Sequence, residues 1–293
     1  MDIALDIPRL EEMLGVKAEL FPDEGVAKAS FPRTDVAVTI EGRPMEPFMG
    51  LTSWVAFQKG TKPGIEAMLM GDLVLFEDEV NPVMTVLLEG GLEVTALHNH
   101  FFFERPRVFF MHIGGEGALA DIIEPVRDAR KAVSAIREQA KAPSERFAGT
   151  AVPTENKIDG ARIQEILGVA GTAKDGMYKV VIGRETKAGC GCKVGKAMGV
   201  NTWAAFAGED TNAFVDGDFA VLEHELRPVL TSLRSSGINV VAIHNHMVLE
   251  EPRIVFLHYW GKGTAMDLAR GIRGALDQTG ATTVEGDSCC KHD

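Results

Sequence analysis

The sequence His-Asn-His occurs twice, and its surroundings repeat with it. The first copy begins at His98 and the second at His244, and downstream Glu, Pro, Arg and His residues recur at the same offset of 146 residues. Ten of the twenty residues 98–117 are identical in 244–263, whereas the apolar residues between them differ. A segment kept only for packing would preserve its hydrophobic character and let its polar identities drift. The repeat therefore indicates a duplicated unit whose polar residues share a role.

Six of the eight histidines belong to these two copies. They are His98, His100 and His112 in the first copy and His244, His246 and His258 in the second. Because side chains alternate along a strand, the first two histidines of each copy leave the same face. Three imidazoles with an open coordination position are typical of catalytic zinc sites, and imidazole also binds iron, nickel and copper. The sequence therefore predicts a divalent metal ion at each copy, with zinc preferred.

Each copy also predicts a β-hairpin. In the first copy, residues 96–103 and 108–113 are apolar and β-favouring, and the Glu-Arg-Pro-Arg between them is typical of a turn. With an odd number of loop residues, such as three, His112 shares the face of His98; with two, it takes the opposite face. The sequence leaves both loops open, and we predict the arrangement in which all three histidines of a copy converge.

Polar residues of the turn that occur in both copies suggest a catalytic role. Bound zinc lowers the pKa of its water to about 7 and so supplies a hydroxide nucleophile. Glu104 or Glu250 could then act as general base, and Arg107 or Arg253 could bind an anionic group of the substrate. A salt bridge between Glu and Arg within the turn is the competing interpretation. The sequence identifies no substrate.

Two other functions fit the same histidines. The chain is either a non-catalytic protein that buffers or senses a metal, or one whose histidines only organise the interface between its halves. In the buffering case the cysteines, at 190, 192, 289 and 290, would be accessory thiolate ligands. Their spacings match no standard zinc pattern. An open water position at the metal would distinguish an enzyme from a buffer.

The net charge of −12 argues against nucleic acid or an anionic membrane as a partner, because both bind clustered Lys and Arg. No apolar run approaches the ~18 residues of a membrane span. The first residues lack the pattern of a signal peptide, which predicts a cytoplasmic protein, or a cell-envelope protein if a leader has been removed. The expected partners are therefore a metal ion and a small molecule.

The periodicity divides the chain into a first repeat at 1–140, a linker at 141–154, a second repeat at 155–280 and a flexible Cys- and His-containing tail at 281–293. Each repeat is predicted as helix, several strands, helix, hairpin and helix. The first helices are expected to begin at Asp6, as N-cap, and at Asp159, and the second helices at the acidic residues 77–79 and 223–225, which complement the helix dipole. This order indicates an α+β unit, with an antiparallel or mixed sheet, helices on one face and ferredoxin-like character. We expect the repeats to be related by a pseudo-twofold axis. We expect Trp54 and Trp203 to lie in their cores, the alternative being that they form the wall of a pocket.

The chain resembles the bacterial LppY/LpqO family, which is defined by a duplicated domain of unknown function. The resemblance rests on the two His-Asn-His copies and on the motifs Phe-Pro-Arg-Thr-Asp at 31–35, Met-Gly-Val-Asn-Thr-Trp-Ala-Ala-Phe at 198–206, Glu-Glu-Pro-Arg at 250–253 and Phe-Leu-His at 256–258. It covers nearly the whole chain. The resemblance implies a largely uncharacterised family, some members of which look like secreted lipoproteins.

The cysteines generate a first prediction. None of the four lies in an apolar core pattern, so replacing all of them by Ser should leave the melting temperature in chelator nearly unchanged. Thermal unfolding of the wild-type chain and the four-Ser variant measures this. A destabilisation of several kcal/mol would instead indicate a disulfide or a structural metal.

Overall fold

A computed structural model describes residues 5–280. The chain forms two compact units. One comprises the chain through Gly149 together with Ala242–His244, and the other comprises Thr150–Val241 and the chain from Asn245 onward. The boundary at Gly149 falls inside the predicted linker, and the predicted tail 281–293 lies outside the described residues.

The first unit contains three helices and nine strands among its described residues. The helices are α1 (Ile7–Leu14), α2 (Glu77–Glu89) and α3 (Leu119–Gln139). The strands are β1 (Glu19–Phe21), β2 (Val26–Pro32), β3 (Val38–Ile40), β4 (Arg43–Met45), β5 (Thr52–Lys59), β6 (Ala67–Phe76), β7 (Glu93–His98), β8 (Glu104–Arg105) and β9 (Val108–Gly117).

Six of these strands form an antiparallel sheet in the order β1-β2-β5-β6-β9-β7. A second, three-stranded sheet has the order β4-β3-β8. Along β5, Val55 and Phe57 are buried, whereas Trp54 and Ala56 between them are half-buried. The helices α2 and α3 pack on each other and on β6 and β9. One face of the sheet is therefore directed toward the core, and the other face is more open.

The second unit repeats this order. Its helices are α4 (Gly160–Leu167), α5 (Glu223–Ser235) and α6 (Ala265–Leu276). Its strands are β10 (Gly171–Lys174), β11 (Met177–Gly183), β12 (Thr186–Lys187), β13 (Lys193–Val194), β14 (Asn201–Glu209), β15 (Asn212–Leu222), β16 (Asn239–His244), whose last three residues are grouped with the first unit, and β17 (Ile254–Gly263). The sheet order is β16-β17-β15-β14-β11-β10, and β12 and β13 form a separate hairpin.

The first helix of each unit begins where the sequence predicts. The Asp6 carboxylate accepts the Arg9 N–H at the start of α1, and Asp159 accepts two backbone N–H groups at the start of α4. Both helices end at a left-handed glycine, Gly15 or Gly168, which places no side chain in a strained conformation. Side-chain capping and a C-terminal glycine thus fix both ends of these short helices.

The prediction of an α+β fold with antiparallel pairing is confirmed. The ferredoxin-like character and the pseudo-twofold relation stay predictions. The third helix differs in length between the units: α3 has 21 residues and α6 has 12. Within residues 5–280, no helix combines the length and the apolar character needed to cross a membrane.

A glycine precedes an aspartate on the central strand of each sheet. A Cβ atom on Gly217 would lie 2.2 Å from the hydroxyl of Tyr259 and 2.3 Å from the carbonyl oxygen of Trp203. That hydroxyl donates a 2.9 Å hydrogen bond to the same carbonyl. Glycine is therefore required here for close approach on the buried side of β15, while Asp218 projects from the other side.

Replacing Gly217 by Ala should destabilise the protein by about 2–3 kcal/mol, because the new methyl group displaces Tyr259 or breaks its hydrogen bond. Gly263→Ala is the matched control, since its Cβ would meet nothing closer than Leu268 at 3.8 Å. We expect the control to change stability by less than about 0.5 kcal/mol in urea unfolding. Equal effects of the two substitutions would contradict this account of Gly217.

Candidate functional site

The tight histidine hairpin predicted from the sequence is wrong. The strand β7 ends at His98 rather than at Phe103, and β9 begins at Val108. The nine residues between them form a loop that contains β8, and β8 pairs with β3 instead of with its neighbours in sequence. The second unit has the same arrangement, with nine residues between β16 and β17. His100 and His246 therefore lie in loops and not on strands.

Local polar contacts explain why the strand stops at His98. The Asn99 side chain donates a 2.6 Å hydrogen bond to the carbonyl oxygen of Val108, in the place where the next ladder bond would form. Further along the loop, Phe103 has a φ of 61°, and its counterpart Leu249 has 62°. Left-handed backbone at these positions turns the chain out of an extended path. The shared Asn of the two copies thus has a structural role in the first loop.

The loop length nevertheless places His112 on the same face as His98. In the β7–β9 ladder His98 lies opposite Phe110, and His112 is two residues further along β9. Residues opposite each other and residues two apart share a face, so both imidazoles project to one side. The odd number of loop residues gives the parity that the three-histidine prediction required.

The structure brings the three histidines of the first copy together. Nε2 of His98 lies 3.2 Å from Nε2 of His100, and the ring centroids of His98 and His112 are 5.1 Å apart. The His100 ring stacks on Phe110 with centroids 3.4 Å apart. The stacking orients His100 although its backbone is in a loop.

A carboxylate completes the first cluster. Asp72 lies opposite His112 in the β6–β9 ladder and is 9% exposed. Its Oδ1 is buried and has no hydrogen-bond partner within the described part of the chain. Burial raises the pKa of Asp72, and the three nearby histidines only partly oppose that shift. Three imidazoles and one under-satisfied carboxylate therefore share the open face of the sheet.

The second copy contains the same carboxylate in the same register. Asp218 lies opposite His258 in the β15–β17 ladder and is 4% exposed. Its Oδ2 lies 3.9 Å from Nε2 of His246, and its Oδ1 lies 4.0 Å from Nδ1 of His258. The His246 ring stacks on Phe256 with centroids 3.4 Å apart, as His100 does on Phe110. His244 occupies the position of His98, at the last residue of its strand.

Burial sets the protonation of both clusters. Burial lowers the pKa of His98, His100 and His246, and a neighbouring histidine adds to each shift. Burial also raises the pKa of Asp218 to about 6. At neutral pH the shifted imidazoles are therefore neutral, and Asp218 carries its charge at an energetic cost. Neutral imidazole is the form that binds metals.

The candidate catalytic residues of the turn have other surroundings. Glu104 is buried and lies opposite Ile40 in the small sheet. Glu250 is buried as well, and its Oε1 accepts a 3.3 Å hydrogen bond from the Ile254 N–H.

The two candidate substrate-binding arginines lie on the surface. Arg107 is exposed, and Nε of Arg253 lies 3.7 Å from a carboxylate oxygen of Glu223 at the start of α5. Arg253 therefore contacts the helix α5 and not, as the competing interpretation had it, a glutamate of its own turn.

The two tryptophans were expected in the core, and this is wrong. Trp54 lies opposite Asp72, and Trp203 lies opposite Asp218, so both are half-buried on the open face of the sheet. The ammonium of Lys28 lies 4.5 Å above the ring of Trp54, and that of Lys179 lies 4.0 Å above the ring of Trp203. A tryptophan that carries a lysine ammonium over its ring thus lies opposite each carboxylate.

Within residues 5–280, no group of three or more His, Cys, Asp or Glu side chains already has the arrangement of a metal site. Cys190 and Cys192 are free and exposed at the turn between β12 and β13. Cys289 and Cys290 lie outside the described residues. The metal donors predicted from sequence are therefore gathered in each cluster without a complete ligand geometry.

The sequence analysis missed the two aspartates as site residues. Both belong to a Gly-Asp pair that recurs at the offset of the histidines, at 71–72 and 217–218. That recurrence was the available signal, because it keeps a charged residue in the middle of an otherwise apolar strand. Burial of a carboxylate on such a strand requires a compensating partner.

Comparison with known proteins identifies the family of the chain but does not identify an activity. No curated protein sequence matches it. One solved structure, titled as a trimeric bacterial microcompartment shell protein PduB, aligns over 89% of each chain with 12% identity and a TM-score of 0.19, which is too low to support a shared fold. A family model described as Domain of Unknown Function (DUF1259) matches residues 8–132 and again 161–278. The chain therefore belongs to the DUF1259 family and contains its domain twice.

Proposed function

We propose that each repeat of this protein binds one divalent metal ion, with zinc preferred, through its three histidines and the adjacent aspartate. The first ligand set is His98, His100, His112 and Asp72. The second is His244, His246, His258 and Asp218. Within the family we infer that the chain belongs with the LppY/LpqO proteins, whose motifs it resembles.

The observation that carries the proposal is a buried, under-satisfied carboxylate beside neutral imidazoles in both repeats. An ionised aspartate in such a place costs stability unless a cation or hydrogen-bond donor compensates it. Among residues 5–280, the Oδ1 atoms of Asp72 and Asp218 find no hydrogen-bond partner. A divalent ion would compensate this charge, and the neutral histidines would supply its other ligands.

Donor spacing in the first repeat also supports zinc. With Zn–N bonds of about 2.05 Å and tetrahedral angles, two ligand nitrogens are about 3.3 Å apart. The Nε2 atoms of His98 and His100 are 3.2 Å apart. Without metal that distance corresponds to a hydrogen bond in which one neutral ring donates and the other accepts. Binding would replace the shared proton by the ion and require small rotations of His112 and Asp72.

A catalytic use of the metal is the second candidate. It is favoured by the exposure of the ligands, because the side chains of His246 and His258 are 35% and 43% exposed and a water ligand could reach the ion. In this candidate the aspartates and histidines hold the ion, and the ion would lower the pKa of the bound water. This proposal gives no catalytic role to Glu104 or Glu250.

We expect about two equivalents of zinc per chain, one for each duplicated ligand set. The measurement is elemental analysis after dialysis, on protein without a His-tag and with all four cysteines replaced by Ser. The double substitution His244→Ala and His246→Ala should remove about half of the metal. His224→Ala is the matched control, since His224 is exposed at the start of α5 and outside both motifs. Binding that is absent from wild type, or equal in all three proteins, would rule the proposal out.

Asp218→Asn should weaken zinc binding yet stabilise the metal-free protein. The folded pKa of about 6 lies above the ordinary value of 3.8, so the folded state binds this proton more tightly than the unfolded state. Stability from this group is therefore present below about pH 4 and is lost as the pH rises through 6. In chelator at pH 7.5, Asp218→Asn should raise the free energy of unfolding by about 2 kcal/mol, and this increase should become smaller toward pH 4.

Urea unfolding at the two pH values and zinc titration against a chromophoric chelator measure both effects. Glu165→Gln is the control, because Glu165 is exposed on α4 and belongs to neither cluster. We expect the control to change stability by less than about 0.5 kcal/mol and to leave the zinc affinity unchanged. A variant at 218 that binds zinc as tightly as wild type would remove Asp218 from the ligand set.

A further inference from the structure

A groove of about 730 Å³ lies in the first unit, apart from the histidine cluster. One wall is the segment 31–35, which includes the last two residues of β2, and the other is the C-terminal half of α3. Apolar residues such as Pro32 and Val133 line part of it. The groove therefore offers apolar contact as well as charge.

The charge of this groove is opposite to that of the chain. Six cationic residues and two carboxylates line it, in a protein whose net charge is −12. The cations are Arg33, Arg127, Arg130, Lys131, Arg137 and Lys141. Several of them are neutralised locally: both oxygens of Glu79 contact Arg33, for example, and Lys131 binds Asp128. The remaining positive charge is concentrated at Arg130 and Lys141, with which no described carboxylate forms an ion pair.

Two arginines of this groove have donors to spare. Arg137 is 5% exposed and contacts Asp78 and Glu79, yet its Nη1 is buried without a hydrogen-bond partner in the described chain. The guanidinium of Arg130 lies 4.0 Å above the ring of Phe31, and its Nη1 donates to the Leu14 carbonyl. Burial lowers the pKa of Arg130, which leaves it a cation at neutral pH. Under-satisfied arginine donors in a cavity are what a carboxylate ligand requires.

The second unit builds this region differently. The helix α6 has 12 residues where α3 has 21, and the described residues 277–280 that follow α6 do not continue it. Glu225, the counterpart of Glu79, accepts a 2.7 Å hydrogen bond from the Gly280 N–H, where Glu79 has the Arg137 guanidinium. The longer helix of the first unit therefore supplies Arg137 to its groove, and Lys141 follows two residues after the end of that helix.

We propose that the groove of the first unit binds an organic anion that has a carboxylate head and an apolar body. The carboxylate lies near Arg130 and Arg137, and the apolar part lies along Phe31, Pro32 and Val133. This site is independent of the metal proposed above, because none of its residues belongs to either ligand set. Its occupant is a small molecule and not a lipid surface, since the cations face a groove of limited volume.

The test uses the full chain in chelator and isothermal titration with three probes. Decanoate has both the charge and the apolar body, decan-1-ol has only the apolar body, and inorganic phosphate has only charge. We expect decanoate to bind measurably below about 1 mM and the other two to bind at least about tenfold more weakly. Equal affinity for decanol and decanoate, or no binding of decanoate, would overturn the proposal.

Two variants locate the binding. Arg130→Gln should weaken decanoate about tenfold through loss of a charge-assisted contact, and Lys141→Glu should weaken it by introducing an opposing charge. Lys141 is exposed, so its variant keeps the test valid if loss of the Arg130 contact to Leu14 disturbs folding. The control Arg270→Gln alters an exposed arginine of α6 and should bind decanoate like wild type. Wild-type affinity in both groove variants would place the ligand elsewhere and reject this site.

Discussion

The antiparallel ladder between β6 and β9, and its twin between β15 and β17, is the constraint on which both units depend. Each ladder pairs ten residues without interruption, from Ala67 opposite Gly117 in one and from Ala213 opposite Gly263 in the other. The uninterrupted register puts an aspartate opposite a histidine at the same position of each sheet. A slip by one residue would turn every side chain to the other face and would bury the histidines among the helices. The chemistry of the clusters thus follows from hydrogen bonding of the backbone.

A buried ion pair connects the other side of each ladder to the helix that follows it. Glu79 accepts hydrogen bonds from Arg33 and from the Phe76 N–H, and Glu225 accepts them from Arg184 and the Leu222 N–H. Although burial opposes it, these contacts lower the pKa of Glu225. Removing one partner of such a pair typically costs about 3–5 kcal/mol, because it leaves an uncompensated charge. The same pairs hold the strand end, the helix start and the preceding loop in fixed positions.

Local sequence signals predicted the elements well, and long-range pairing limited the rest. Asp6 and Asp159 mark helix starts because their capping partners are three or fewer residues away. The acidic start of α2 was predicted from the helix dipole, but its partner Arg33 is 46 residues distant and no local pattern identifies it. The loop after His98 was misjudged for the same reason: β8 pairs with β3, far away in sequence. Whether the histidines share a face depends on whether the loop has an odd or even number of residues, and the sequence alone did not determine that number. Trp54 was assigned to the core because the sequence does not show that it lies opposite Asp72.

The two units have not diverged evenly. On the helical side, α3 is nine residues longer than α6. The small additional hairpin also differs, since it is β3–β4 in the first unit and β12–β13 in the second. On the open face, by contrast, each sheet keeps a row of tryptophan, aspartate and histidine across three neighbouring strands. A duplicated gene records selection within one chain, because both copies have drifted for the same time. By that record, the tryptophan, aspartate and histidine of this row have been held constant, while the length of the third helix has been free to change.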